Sequence, residues 1–119
     1  MRSLPFALAL ATLAFHAPPA APQTQDTAEP HLGKGYDALK QDRFDAAVTE
    51  FRAALRLDPT LVMRARFPLA VALFELKQSG DARREFEAVR REVGEHPNVS
   101  YYLGRLDCST RTSPAQSGI

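Results

Sequence analysis

The chain has 119 residues, of which 45% are hydrophobic, and its 15 Lys and Arg nearly balance its 14 Asp and Glu. This length allows one small domain, too small for most enzymes that have a deep cleft. The single cysteine, Cys108, excludes an internal disulfide framework and a cysteine-based zinc site, and the balanced charge argues against a nucleic-acid-binding protein.

The amino-terminal stretch is predicted to be a secretory signal peptide. Arg2 supplies a positive charge, and residues 4–15 are apolar except for one Thr. This run is shorter than the roughly 20 residues that span a bilayer as a helix, so no stable membrane anchor is expected. We expect residues 1–20 to be removed by cleavage near Ala20, and residues 21–30 to form a flexible linker rich in Pro, Gln and Thr. The mature protein would then be periplasmic or secreted.

An internal repeat with a period of 35 residues organises the rest of the chain. Similar residues recur at this spacing, namely Ala47 with Ala82, Phe51 with Phe86, and Ala54 with Val89. Gly35 corresponds to Ala70 by the same shift, and one further step of 34 residues reaches Gly104. Such periodicity indicates stacked units, none of which can bury its apolar face alone.

The apolar residues within each unit follow a helical spacing, and Pro and Gly mark the ends of the helical stretches. The predicted helices cover residues 30–41, 44–57, 61–78, 81–93 and 98–107. Pro68 falls inside the third predicted helix, where it either kinks the helix or marks its true start.

A set of small, aromatic and proline residues in the first unit has a characteristic order: Gly35, Ala38, Leu39, Phe44, Ala47, Phe51, Ala54 and Asp58-Pro59. This order resembles a tetratricopeptide repeat, with small residues where its two helices touch and Pro at the end of the second helix. The resemblance implies an all-α fold, a short right-handed solenoid of helix-turn-helix units over residues 31–107, with about two and a third repeats. Residues 108–119 are expected to form a disordered tail. An unrelated bundle of four or five helices is the alternative fold.

No catalytic or metal-binding pattern is present in the sequence. His31 and His96 are 65 residues apart, outside any spacing that places two metal ligands on one helix face, and both are predicted to be solvated histidines at helix ends. No glycine-rich phosphate loop or nucleophile turn occurs. Cys108 is predicted to be a free or intermolecularly paired thiol. We therefore expect a protein that is not an enzyme and that uses no cofactor or metal.

The resemblance also implies where a partner would bind. In proteins of this kind, the first helices of the repeats line a concave groove that holds a peptide, and apolar and aromatic rows suit the anchors of such a segment. The predicted partner-binding residues are Tyr36, Lys40, Phe67, Val71, Phe74, Tyr101 and Arg105. The alternative is that Phe67, Val71 and Phe74 belong simply to the core.

The sequence thus predicts an exported interaction scaffold that binds a protein or peptide. The alternative function is an amino-terminal accessory segment of a larger exported enzyme, such as a peptidase or a cell-wall hydrolase. Residues 108–119 contain no apolar stripe, so Leu103 and Leu106 are expected to be uncovered at the carboxyl end of the solenoid. Three outcomes stay open for this end: a frayed monomer, completion by a partner, or a two-fold homodimer.

Overall fold

The computed structural model describes residues 25–111, and these residues contain helices and no strands. The elements are α1 (Ala28–Lys40), α2 (Phe44–Leu57), a π-helical segment (Val62–Arg66), α3 (Phe67–Glu75), α4 (Ser79–Val93) and α5 (Pro97–Arg111). The predicted all-α helical-repeat fold is confirmed, and α2 has its predicted bounds. The predicted signal peptide and most of the predicted tail lie outside the described residues.

The helices pack as two pairs followed by a single helix. Helix α1 packs against α2 and α3 packs against α4, while α2 also contacts α3 and α5 contacts α4. Phe51 and Phe86, which the repeat makes equivalent, are both 0% exposed and lie at the centres of the two pairs. A continuous apolar core therefore runs through all five helices.

The turns inside the two helix pairs repeat each other in backbone detail. Asp42 and Lys77, 35 residues apart, both have left-handed backbone angles, with φ of 54° and 64°. The same hydrogen bond closes each preceding helix, from Arg43 N–H to the Ala38 carbonyl (2.9 Å) and from Gln78 N–H to the Leu73 carbonyl (3.0 Å). These bonds satisfy carbonyls that a helix end leaves without a partner. The internal repeat of the sequence is thus also a repeat of conformation.

The third predicted helix is interrupted, and Pro68 explains where. Helix α3 starts at Phe67, so Pro68 lies in its first turn, where the missing N–H is tolerated. The preceding segment is wound as a π-helix, in which Arg66 N–H donates to the Leu61 carbonyl five residues earlier at 3.1 Å. Of the two alternatives for Pro68, the true start of the α-helix is the one found. The predicted bounds 61–78 were too wide for α3, which ends at Glu75 and follows a π-helical segment.

Both ends of the helical region extend beyond their predicted limits. Helix α1 begins at Ala28, so residues 28–30 of the predicted linker are helical. Helix α5 continues to Arg111, so residues 108–111 of the predicted tail form its last turn. Neither extension was visible as an apolar stripe, because the added residues are mostly exposed.

Leu103 and Leu106 are covered, contrary to the expectation from sequence. Their exposed fractions are 5% and 1%, because both lie within the core that α5 shares with its neighbours. Shifting α3 by 34 residues onto α5 replaces Val71 with Arg105 and Leu73 with Asp107, and both replacements are exposed. Helix α5 thus carries polar residues at two positions that are apolar in α3, as a terminal repeat requires. The apolar end that motivated the homodimer prediction is not found in residues 25–111.

Candidate functional site

The first predicted binding residue, Tyr36, stands on α1 against the core. Its ring meets the buried Phe51 ring edge to face at a centroid distance of 5.2 Å. This approach depends on Gly35, since a Cβ at that position would lie 2.7 Å from the Phe51 ring. Tyr36 is nevertheless 40% exposed, and its hydroxyl donates a hydrogen bond to the Arg64 carbonyl at 2.7 Å. Burial raises the pKa of this hydroxyl, although the Arg64 charge acts in the opposite direction.

An ion pair joins the start of α1 to the π-helical segment beside Tyr36. Both terminal nitrogens of Arg64 donate to the two carboxylate oxygens of Glu29, each at 2.9 Å. This fork-to-fork geometry orients the guanidinium and lowers the pKa of the Glu29 carboxyl. Lys40, another predicted binding residue, is exposed in the last turn of α1.

Three predicted residues on α3 lie between core and solvent. Phe67, Val71 and Phe74 are each partly buried and packed against the apolar core. The Phe67 ring lies edge to face with Phe86 at 5.8 Å, so much of it serves the α3–α4 contact. Each of these side chains therefore contributes to the core and still leaves part of its surface accessible.

Phe74, Tyr101 and Arg105 come together where α3 meets α5. The guanidinium carbon of Arg105 lies 5.3 Å from the Phe74 ring centroid and 5.8 Å from that of Tyr101. Arg105 also donates to the Tyr101 hydroxyl at 3.1 Å, which raises the pKa of Arg105 further above its ordinary value. Tyr101 is 56% exposed, the most exposed large hydrophobic side chain among the described residues. This cluster holds a cation over aromatic rings at the surface.

Tyr102 connects these residues, and the sequence did not predict its role. Its ring stacks on Phe86 with a centroid distance of 4.8 Å and an interplanar angle of 10°. It also lies within 6.1 Å of three further rings, those of Phe67, Phe74 and Tyr101. The helical spacing of Tyr102 with Val99, Leu103 and Leu106 was the available signal. The ion pair of Arg64 with Glu29 was also not predicted, because the two residues are 35 positions apart in the sequence.

The structure therefore places five of the seven predicted residues in two groups, and Lys40 and Val71 belong to neither. Phe67, Phe74 and Tyr101 are joined through Tyr102 by ring contacts, and Arg105 lies over the rings of Phe74 and Tyr101. Tyr36 belongs to a separate contact between α1, α2 and the π-helical segment. A surface cavity of about 490 Å³ lies elsewhere, and none of the predicted binding residues lines it: it is formed by Pro59, Thr60, Val62, Arg66, Ala88, Arg91 and Glu92.

The two described histidines differ from each other. The prediction that His31 is simply solvated was wrong, because its ring nitrogens contact Glu50 and Asp26 at 2.7 and 2.9 Å. His96 accepts a 3.3 Å hydrogen bond from the Asn98 N–H through Nδ1. Within residues 25–111, no group of three or more His, Cys, Asp or Glu is arranged to hold a metal ion. No helix in this part of the chain is long and apolar enough to cross a membrane.

The sequence was compared with protein-family models, with curated proteins and with solved structures. Residues 32–85 match the model of the tetratricopeptide repeat family. Comparisons with curated proteins and with solved structures gave no significant match. The family match covers α1 to the first half of α4, and together with the helix pairing it supports a tetratricopeptide repeat protein. Repeats of this family commonly serve as protein interaction modules.

Proposed function

We propose that this protein is an exported scaffold that binds a peptide segment of another protein along α1, α3 and α5. The observation that carries this proposal is the surface cluster of Phe74, Tyr101 and Arg105 on α3 and α5, and the half-exposed Tyr36 on α1 is a second, separate aromatic anchor. Aromatic side chains that are held rigidly and partly exposed are typical anchors of protein interfaces, because little conformational entropy is lost when they are covered.

The partner segment is expected to contribute mainly apolar side chains. Arg64, whose charge acts on the Tyr36 hydroxyl, is already paired with Glu29, and the guanidinium of Arg105 lies over the rings of Phe74 and Tyr101. A surface of this kind binds apolar side chains, and its affinity for a partner should depend only weakly on the salt concentration. Two or three side chains of the partner, seated on Val71, Phe74 and Tyr101, would supply most of the affinity.

Export is the second element of the proposal. It is supported by the apolar run at residues 4–15, which follows a positive charge and precedes Pro18-Pro19. Amino-terminal sequencing of the protein recovered from its native compartment tests this element. A mature amino terminus near residue 21 is the expected result, and an intact Met1 would contradict it.

An array of short random-sequence peptides tests the binding surface. The experiment compares the unaltered protein with Tyr101→Ala and with Leu57→Ala, which removes a similarly exposed apolar side chain from the end of α2. Tyr101→Ala should weaken the retained peptides about tenfold or more, the effect of losing one anchor. Leu57→Ala should leave binding unchanged. Equal effects of the two variants, or an array without any retained peptide, would contradict the proposal.

A further inference from the structure

The imidazole ring of His31 is held between two carboxylates from different parts of the chain. Nδ1 lies 2.7 Å from Oε2 of Glu50 on α2, and Nε2 lies 2.9 Å from Oδ1 of Asp26, two residues before α1 begins. The His31 side chain is 19% exposed, so the ring is largely enclosed by these neighbours. One histidine thus links α2 to the segment that enters the first helix.

This arrangement requires a proton on each ring nitrogen. An ionised carboxylate only accepts hydrogen bonds, and both imidazole nitrogens donate only when the ring carries a positive charge. In the neutral ring one nitrogen presents a lone pair, which would face a carboxylate oxygen at less than 3 Å. One of the two links must therefore break when His31 loses its proton.

The two links differ in how firmly the carboxylate is held. The Glu50 side chain is 25% exposed and belongs to α2, whereas the Asp26 side chain is 71% exposed and belongs to no helix. Water can replace the contact to Asp26 at little cost, while Glu50 stays in place. The link to Asp26 is the one that opens.

We propose that His31 is a protonation-dependent latch that fastens the segment before α1 to the α1–α2 pair when its imidazole is charged and releases this segment when the imidazole is neutral. Asp26 and Glu50 are the charged groups that face the ring. Glu29, two residues before His31, forms an ion pair with Arg64 instead. Helix α1 therefore stays attached to the π-helical segment after the preceding residues are released.

The direction of the electrostatic effect agrees with this geometry. The pKa of His31 is raised above its ordinary 6.5, first by the hydrogen bond with Glu50 and then by that with Asp26. The latch is therefore closed in mildly acidic solution and opens as the pH rises through this raised pKa. The proposal does not depend on peptide binding or on export.

Nuclear magnetic resonance of the full chain tests the latch directly. The imidazole pKa and the heteronuclear NOE of residues 25–27, which precede α1, are measured between about pH 5.5 and about pH 9, a range that brackets histidine titration. We expect these amides to be ordered at the acidic end and to lose order in step with His31 deprotonation. Asp26→Ala, which removes the hydrogen-bonding group, should bring the His31 pKa closer to 6.5 and should remove the ordered state of residues 25–27 at every pH.

His96→Gln is the matched control, because His96 is the other described histidine and lies outside this cluster. This substitution should leave unchanged both the His31 pKa and the NOE values of the segment that precedes α1. A His31 pKa at or below 6.5, or NOE values for residues 25–27 that do not change with pH, would overturn the proposal. An Asp26→Ala variant that behaves like the unaltered protein would also overturn it.

Discussion

The Tyr36 hydroxyl donates a 2.7 Å hydrogen bond to the carbonyl oxygen of Arg64. In a continuous α-helix that oxygen would accept the N–H of residue 68, but residue 68 is a proline and has no N–H. The Tyr36 side chain, from the first repeat, thus donates to a carbonyl of the second repeat that has no N–H of residue 68 to accept. The same tyrosine borders the proposed binding surface, so this contact also fixes one end of that surface.

Removing this hydroxyl gives the first prediction. Tyr36→Phe keeps the ring on Phe51 but loses the hydrogen bond, and we expect the free energy of unfolding to fall by about 0.5–1.5 kcal/mol. Tyr101→Phe is the control, because the Tyr101 hydroxyl contacts only the exposed Arg105 among the described residues, and a smaller loss is expected. Urea unfolding of both variants measures the difference. Equal decreases in the free energy of unfolding would show that the hydrogen bond from Tyr36 to the Arg64 carbonyl does not stabilise the fold.

The close contact of α1 with α2 gives the second prediction. A Cβ at Gly35 would lie 2.7 Å from the ring of Phe51, which is fully buried. The overpacking in Gly35→Ala should cost about 1–3 kcal/mol, more than Ala gains over Gly in a helix. Gly33→Ala, on the same helix with open space around it, should instead stabilise by up to about 1 kcal/mol. Thermal unfolding curves that shift in the same direction for both variants would contradict this packing.

The turn between α3 and α4 gives the third prediction. Lys77 has a φ of 64°, a conformation that is unfavourable for a residue with a side chain. Lys77→Gly should therefore raise the free energy of unfolding by about 0.5–1 kcal/mol, after the greater flexibility of Gly in the unfolded chain is included. Lys34→Gly, at an exposed position inside α1, should lower it by about 1 kcal/mol. Urea denaturation of the two variants in the same buffer measures both free energies of unfolding. A lower free energy of unfolding in both variants would argue against the left-handed conformation of Lys77.

Much of this fold could be predicted from the sequence, because it follows from local periodicity. Helix α2 has its predicted bounds, since its apolar stripe and the following Asp58-Pro59 are both local signals. The 35-residue repeat likewise predicted that Phe51 and Phe86 would occupy equivalent buried positions. These features depend on residues within one or two helical turns of each other.

The features that could not be predicted depend on contacts between distant residues. His31 looked solvated because Glu50, its partner, is 19 residues away on another helix. Leu103 and Leu106 looked uncovered because the sequence does not show that the outward positions of α5 are the polar ones. For the proposed binding surface, the family resemblance selected Phe74, Tyr101 and Arg105 but did not select Tyr102, whose ring contacts those of Phe74 and Tyr101.

The fourth prediction is the pH dependence of stability that His31 contributes. Its pKa is raised in the folded state, so folding favours the charged ring. The contribution is fully present below the unfolded value of 6.5, as long as both carboxylates stay ionised, and it is lost as the pH rises through the folded pKa. His31→Gln should therefore be less stable than the unaltered protein near pH 5.5, and the difference should shrink at higher pH. Urea titrations at several pH values measure it, and a difference that grows with pH would reverse the assigned sign.

The fifth prediction is that a peptide binds along α1, α3 and α5, and chemical-shift mapping of the complex measures where it binds. The strongest peptide from the array is titrated into the isotopically labelled protein, and the shifted residues are assigned. We expect chemical-shift changes at Tyr36, Val71, Phe74, Tyr101 and Arg105. A map centred instead on the cavity beside Arg66 and Arg91, with these five residues unaffected, would contradict it.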